Sequence, residues 1–217
     1  MNRPEPQNAL EKDRARIARD LHDELGSALT RIQLLAERLP RGRAAQEDAG
    51  LLAEKIAACA RETARLLDEI VWATDPENDT VAGLVAYLNQ YAGHFFENTE
   101  VRCRLEIPSE LSSRPLPAQA RRGLFLLFKE ALNNALKHAQ ATLVRVGVSE
   151  TASALEIVIE DNGRGLDSRR MTGDRKGRGL GQMRMRVESL GGGFSITAAP
   201  DGGTRVNVSC PIKGQSG

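Results

Sequence analysis

Between Leu10 and Leu39 the apolar positions Ile17, Leu21, Leu25, Ala28, Ile32, Leu35 and Leu39 recur at steps of four and three, a spacing that only an α-helix gathers onto one side. Pro40, Arg41 and Gly42 then break the run. A second run, Leu52, Ile56, Cys59, Thr63, Leu66 and Ile70, repeats those steps and stops before Asp75-Pro76, where the residue preceding a proline is driven out of helical geometry. Two long helices joined by a short loop make an antiparallel hairpin. Each helix carries an apolar stripe and the hairpin has no further layer to cover it. Burial comes either from a second copy, closing a four-helix bundle, or from docking on the rest of the same chain. The second copy is the more economical, so the expectation is a homodimer built on residues 10–75.

After residue 80 the texture changes. A helix near Val81 to Glu97 precedes a strand at Val101 to Ile107, where Val101, Cys103, Leu105 and Ile107 alternate with Arg102, Arg104 and Glu106. A helix from about Pro117 to Ala139 follows, then strands at Thr142 to Ser149 and Leu155 to Asp161. Next come a loop rich in Gly, Arg and Lys, a helix near Gly181 to Leu190, and paired strands ending at Cys210. This predicts an α+β domain over residues 80–213, with helices covering one face of a mixed sheet.

Hydrophobic residues at 41% and charged residues at 27% describe a globular chain and exclude disorder. Thirty basic and 29 acidic side chains, interspersed to a net charge of +1, provide no broad field for nucleic acid or anionic lipid. A bound polyanion must therefore be gripped locally. Cys59, Cys103 and Cys210 each continue an apolar pattern, which predicts buried reduced thiols and a cytoplasmic protein rather than a disulfide framework or a metal cluster. The longest uncharged run, Thr80 to Phe96, includes Asn89, Gln90 and His94 and is too polar to span a membrane. A membrane sensor, where there is one, is expected outside this chain.

The helix ending near Ala139 concentrates Glu130, Asn133, Asn134, Lys137 and His138 within about two turns. Glu130 and Asn134 are four apart and share a face. An amide oxygen suits Mg²⁺, a carboxylate one turn away can orient a metal-bound water, and Lys137 can meet phosphate as a point charge. The same residues also read as a solvated helix face. Asp161-Asn162-Gly163-Arg164-Gly165 directly follows a strand. A carboxylate there can accept from an exocyclic amine such as adenine's, and the glycines permit close approach of a ligand to backbone; the segment reads equally as an ordinary turn. Gly177, Gly179 and Gly181, placed before a helix, can turn free N–H groups toward phosphate. Gly202-Gly203-Thr204 also reads as a hairpin turn. No Gly-x-x-x-x-Gly-Lys-Ser/Thr occurs, so a P-loop is absent.

Taken in order, Glu-x-x-x-Asn on a helix, Asp-x-Gly-x-Gly after a strand, Gly-x-Gly before a helix and Gly-Thr between the last strands resemble the N, G1, G2 and G3 boxes of the GHKL ATPase superfamily. Arg16-Ile17-Ala18-Arg19-Asp20-Leu21-His22-Asp23-Glu24-Leu25-Gly26 resembles the phosphoacceptor box of the nitrate-sensor-like (HisKA_3) histidine kinases. The resemblance spans Asp13 to about Ile212. The stretch from Asp68-Glu69-Ile70-Val71-Trp72 to Tyr91 is similar to members that follow periplasmic propeller sensors.

The resemblance implies a GHKL (Bergerat-type) α/β sandwich behind the hairpin, and a two-component sensor kinase core that uses ATP and Mg²⁺. It would phosphorylate itself on His22 and pass the phosphoryl group to an aspartate of a response regulator. An imidazole is a competent nucleophile near neutral pH, and adjacent Asp23 can take the proton from its other nitrogen. By the same resemblance Asn134 holds Mg²⁺, Glu130 assists, Asp161 reads adenine, and Gly163 and Gly165 shape its pocket. Gly177 and Gly179 border the phosphates, Lys137, His138, Leu180 and Thr204 complete the nucleotide site, and Leu166 to Arg178 forms an ATP lid.

Two positions depart from the family pattern. Ser27 stands where members often carry a glutamine thought to position water for dephosphorylating the partner. Gln182 replaces a frequent Asn or Gly in the helix after the second glycine box, which ATP binding is expected to tolerate. Rival functions are a GHKL-type serine kinase, which has no need of the hairpin bearing His22, and a dimeric scaffold with a degenerate nucleotide site.

Overall fold

The computed structural model describes residues 5–39, 46–165 and 178–212. The chain divides into two compact units, residues 1–76 and 77–217.

The first unit is a helical hairpin of α1 (Glu5–Glu37) and α2 (Gln46–Thr74). The break at Pro40 to Gly42 lies outside the described residues, as do the side chains of Ile17 and Leu21. On α1 the stripe residues Leu25, Ala28, Ile32 and Leu35 are half-buried; on α2 so are Leu52, Ile56, Cys59, Leu66 and Ile70, with Thr63 buried. A threonine fits this stripe because its hydroxyl donates to the Cys59 carbonyl at 2.8 Å, so no donor is stranded. Leu29, Leu34, Leu51, Leu67 and Val71 remain exposed on the hairpin. Pro76 opens a 3-10 turn, Pro76–Asn78, and ends the helical run at the predicted place.

The second unit comprises α3 (Val81–Phe96), β1 (Arg102–Glu106), α4 (Ala118–Asn134), β2 (Leu143–Glu150), β3 (Ala154–Asp161), α5 (Arg178–Ser189), β4 (Gly193–Ala198) and β5 (Thr204–Pro211). Thr80 caps α3 by accepting from the Gly83 N–H at 3.0 Å. The sheet order is β1-β2-β3-β5-β4, with β1 parallel to β2 and every other pair antiparallel. This is the mixed sheet that the alternation of strands and helices predicts.

One face of the sheet is apolar by strict alternation: Val144, Val146 and Val148 on β2, Leu155, Ile157 and Ile159 on β3, Val206, Val208 and Cys210 on β5. It packs with the buried Leu84 and Leu88 of α3, Leu124, Phe125, Phe128 and Leu132 of α4, and Met183 and Val187 of α5. The opposite face is polar and carries the Arg205–Glu160 pair at 2.8 Å. Arg121 of α4 is fully buried in this core and is tolerated there because Asp79 lies 3.2 Å from its guanidinium.

A second buried ion pair ties the segment before α4 to the end of β2 and the β2–β3 turn. Arg114 donates through Nε to Glu150 at 2.7 Å and through Nη1 to the Ala152 carbonyl at 2.8 Å, while Ser112 N–H donates to Glu150 Oε2 at 3.1 Å. Burial by itself pushes the Glu150 carboxyl up, but hydrogen bonds from Ser112 and the Arg114 guanidinium outweigh it and hold Glu150 below the ordinary carboxylate range. The folded group thus titrates below the unfolded one. Its contribution is complete above the unfolded value of about 4.3 and is lost as pH falls through the folded one. Glu150→Ala is expected to cost this unit roughly 3 kcal/mol at pH 7. Urea unfolding should show that gap closing below about pH 4, and a gap unchanged by acid would contradict the ionised pair.

Sequence and structure differ at three places. Of the thiols predicted as buried, only Cys210 is; Cys59 and Cys103 are half-buried, and burial still pushes Cys103 up to about 11. The α4 helix does not run regularly to Ala139 but widens into a π-helical turn, Ala135–Ala139, that ends with Gln140 left-handed at φ 55°. Gly179 and Gly181, expected before a helix, lie inside the first turn of α5.

Candidate nucleotide site

Four segments converge where the C-terminal end of β3 meets the N-terminal end of β5. Asp161 is the last residue of β3, and its Oδ1 accepts from the Gly163 N–H at 2.9 Å and from the Thr204 N–H at 3.3 Å. Two backbone donors therefore fix one carboxylate oxygen, and Oδ2 takes part in neither bond. Thr204 reaches this carboxylate through its backbone, not its hydroxyl.

Glycine is required at two points here for steric reasons. A Cβ on Gly163 would stand 2.3 Å from the Ala139 carbonyl oxygen, and one on Gly203 only 2.0 Å from that of Asp161. Gly203 also has φ 85°. Gly165 joins the same neighbourhood, with its Cβ direction pointing at the Gly203 carbonyl 3.2 Å away.

The π turn supplies the opposite wall. Its last residue, Ala139, turns its carbonyl out of the helix to accept the Arg164 N–H at 2.9 Å. This docks the end of α4 on the Asp161 loop and leaves Lys137 and His138 exposed beside it. π turns inside α-helices recur at functional sites for this reason, since one extra residue re-aims the side chains that follow.

Further back on α4, Glu130 and Asn134 are half-buried one turn apart. Glu130 stands against the start of α5: a Cβ on Gly179 would fall 1.9 Å from its Oε1. Gly179 thus lets a carboxylate and a helix N-terminus come together, with Leu180 half-buried next to it. Among the described residues no three His, Cys, Asp or Glu side chains converge as a metal cage. Gly177 and the lid from Leu166 to Arg178 lie outside the described residues, apart from the backbone of Arg178.

His22 and Asp23 belong to the other unit, where both are exposed on α1. Ser27, one turn on, donates its hydroxyl to the Asp23 carbonyl at 3.0 Å. The structure therefore gathers Asp161, Gly163, Gly165 and Thr204, sets the end of α4 with Lys137 and His138 against them, and pairs Glu130 with Gly179. Sequence reasoning missed Asn162, whose side chain accepts from the Thr142 and Leu143 N–H groups, both at 2.9 Å. It also missed the Ala139 carbonyl. An Asn-Gly pair at a strand end is the signal for the first; a backbone carbonyl leaves none.

Comparison with known proteins matches two families. Residues 13–78 match a family described as histidine kinase, and residues 119–214 match the histidine kinase-, DNA gyrase B- and HSP90-like ATPase family. The sensor histidine kinase YxjM of Bacillus subtilis is 26% identical over 94% of this chain and 48% of its own length. The signal transduction histidine-protein kinase/phosphatase UhpB of Salmonella typhimurium is 32% identical over 93% of this chain and 39% of its own length. The chain thus spans about half or less of these curated relatives. Among solved structures, the histidine kinase domain of the Erythrobacter litoralis EL346 blue-light activated kinase superposes with a TM-score of 0.53 at 20% identity, covering 88% of this chain and 94% of that one. The fold is accordingly that of a histidine kinase core. No helix among the described residues is long and apolar enough to cross a membrane.

Proposed function

Because this chain belongs to the histidine kinases that join a HisKA_3 segment to a GHKL-type ATPase domain, we propose that it is the catalytic core of a two-component sensor kinase. It phosphorylates His22 from ATP and hands the phosphoryl group to an aspartate of a response regulator. The observation that carries this reading is the presence in one chain of an exposed His22-Asp23 pair and a backbone-pinned Asp161 carboxylate between glycines that no larger residue can replace. Residues 10–75 are the dimerisation and phosphoacceptor domain and residues 80–213 the ATP-binding domain.

The residues present fit the nucleotide. Oδ2 of Asp161 accepts the amine of adenine, while Gly163 and Gly165 keep the pocket open to the flat base. Asn134 would hold Mg²⁺ through its amide oxygen, with the Glu130 carboxylate one turn away to accept from water at that site. Lys137, His138 and the backbone near Gly179 and Leu180 would meet the phosphates. Bound Mg-ATP supplies an electrophilic γ-phosphoryl group and an ADP leaving group. The chain's own task is to bring the His22 imidazole in line and to let Asp23 take the proton from its other ring nitrogen.

The protein acts as a homodimer in the cytoplasm. Leu29, Leu34, Leu51, Leu67 and Val71, left exposed on the hairpin, support a second copy as the cover for that surface. Free rather than paired cysteines fit a reducing compartment. The test is incubation with Mg-ATP followed by chemical analysis of the phosphoprotein. Acid-labile, base-stable phosphate on His22 is expected; transfer to a partner serine with His22 unmodified overturns the reading.

Ser27 adds a prediction about the reverse reaction. Its hydroxyl is short and already donated to the Asp23 carbonyl, so it cannot reach past the helix to align water on a receiver's phosphoaspartate. The protein is expected to be kinase-biased, and Ser27→Gln to gain phosphatase activity. Decay of purified phosphorylated regulator, with this chain and ADP, measures both. Strong acceleration by the wild type that survives Ser27→Ala would rule the argument out.

A further inference from the structure

We propose that Asn162 is a positioning residue for nucleotide selection, a clamp that holds the Asp161 carboxylate in the one orientation that reads an exocyclic amine. The inference rests on the assignment of Asp161 as the base reader and names a residue that this assignment leaves without a role.

The geometry is specific. Asn162 Oδ1 accepts from two consecutive backbone donors, Thr142 N and Leu143 N, both at 2.9 Å, and its Nδ2 donates to Thr142 Oγ1 at 3.0 Å. Its own N–H donates to the Leu143 carbonyl at 3.2 Å. The residue straight after Asp161 is thus bound on both backbone and side chain to Thr142 and Leu143, where β2 begins. Its neighbour on the other side, Gly163, sends its N–H to Asp161 Oδ1 and is wedged against Ala139.

The pairing of β2 with β3 stops at this point. β2 and β3 pair in register from Val144 with Asp161 onward, so the ladder ends at the reader itself. A strand end frays unless something beyond it is tied down. The Asn162 side chain extends the ladder by replacing backbone pairing with its own amide, and the aspartate beside it inherits that rigidity. A carboxylate is acceptor-only and rejects a carbonyl only if it cannot swing away from it, because the penalty for a mismatched base depends on the site not relaxing.

Glycines elsewhere in the loop make the clamp necessary. Gly163 and Gly165, demanded by the close approach to Ala139 and Gly203, give the segment backbone freedom that nothing in their own side chains limits. Only Asn162 and Arg164 carry side chains beside these glycines; both are exposed, and it is the Asn162 amide that is tied to Thr142 and Leu143.

The test is calorimetric titration of the full chain with Mg-ATP and Mg-GTP. Asn162→Ala is expected to weaken ATP binding about 5- to 20-fold, in line with the loss of one to two net hydrogen bonds. Its ATP-over-GTP ratio should shrink, and the Thr142 and Leu143 amides should exchange faster. Asn162→Asp, which keeps both acceptor contacts, should restore most of the affinity and the ratio. If Asn162→Ala does not fold, Asn162→Gln replaces it, carrying the same groups one methylene too far out. Wild-type affinity and selectivity in Asn162→Ala, or in that Gln substitute, overturns the proposal. If Asp161→Asn still binds ATP weakly in that case, the nucleotide-site assignment stands without the clamp. A wild type that binds neither nucleotide overturns both.

Discussion

His22→Gln is expected to remove phosphate incorporation entirely while leaving ATP binding within about twofold of wild type and dimerisation intact. The side chain is exposed on α1, so its replacement strands no buried group, and exposed substitutions of this kind shift stability by about 0.5 kcal/mol or less. Glutamine is the better helix former of the two, so the hairpin is not weakened. What disappears is the nucleophile, since an amide nitrogen has no free lone pair for phosphorus. Asp23→Asn should act on the same step less severely. Losing the proton acceptor while keeping the nucleophile is expected to slow autophosphorylation about a hundredfold. Rapid-quench measurement of phosphoprotein formation, beside a nucleotide titration, checks both variants. ATP affinity lost in His22→Gln would mean that the hairpin and the nucleotide pocket are not separate functional parts.

The hairpin was legible because its signal is one-dimensional. Leu52, Ile56, Cys59, Thr63, Leu66 and Ile70 all turned inward, even though Thr63 is polar, because periodicity outweighs the identity of any single residue on the stripe. The strands were legible for the same reason, with Val144, Val146 and Val148 buried in alternation. The π turn was not. Ala135 to Ala139 has the composition of an ordinary helix end, and its last carbonyl accepts from the Arg164 N–H, a partner 25 residues away by numbering. The loss of regular helix there is a tertiary effect that no local pattern encodes. Likewise Gly179 was expected before a helix and lies inside its first turn, where its close approach to Glu130 is a tertiary contact absent from any local pattern. Sequence order identified the boxes, and only geometry distinguished backbone from side-chain roles, as at Thr204.

Asp161→Asn is expected to lower ATP affinity roughly a hundredfold, or about 3 kcal/mol, with little change in stability. The carboxylate has one oxygen committed, since Oδ1 accepts from Gly163 N at 2.9 Å and Thr204 N at 3.3 Å. An amide placed there must keep its oxygen toward those two N–H donors, because the opposite orientation sets donor against donor twice. Its NH₂ is then forced to occupy the place of Oδ2. That group meets the amine of adenine with a second donor, and a productive acceptor becomes a repulsive contact. A base with a carbonyl at the same position would find the new donor favourable, so Mg-GTP or Mg-ITP should bind this variant better than Mg-ATP does. Unchanged thermal unfolding together with inverted base preference is the expected pair of results. A flipped amide predicts the reverse pattern: ATP affinity kept, and stability lowered by about 1 to 3 kcal/mol for the two stranded backbone donors. Wild-type ATP affinity with no stability loss would fit neither orientation and would remove Asp161 from the base-reading role.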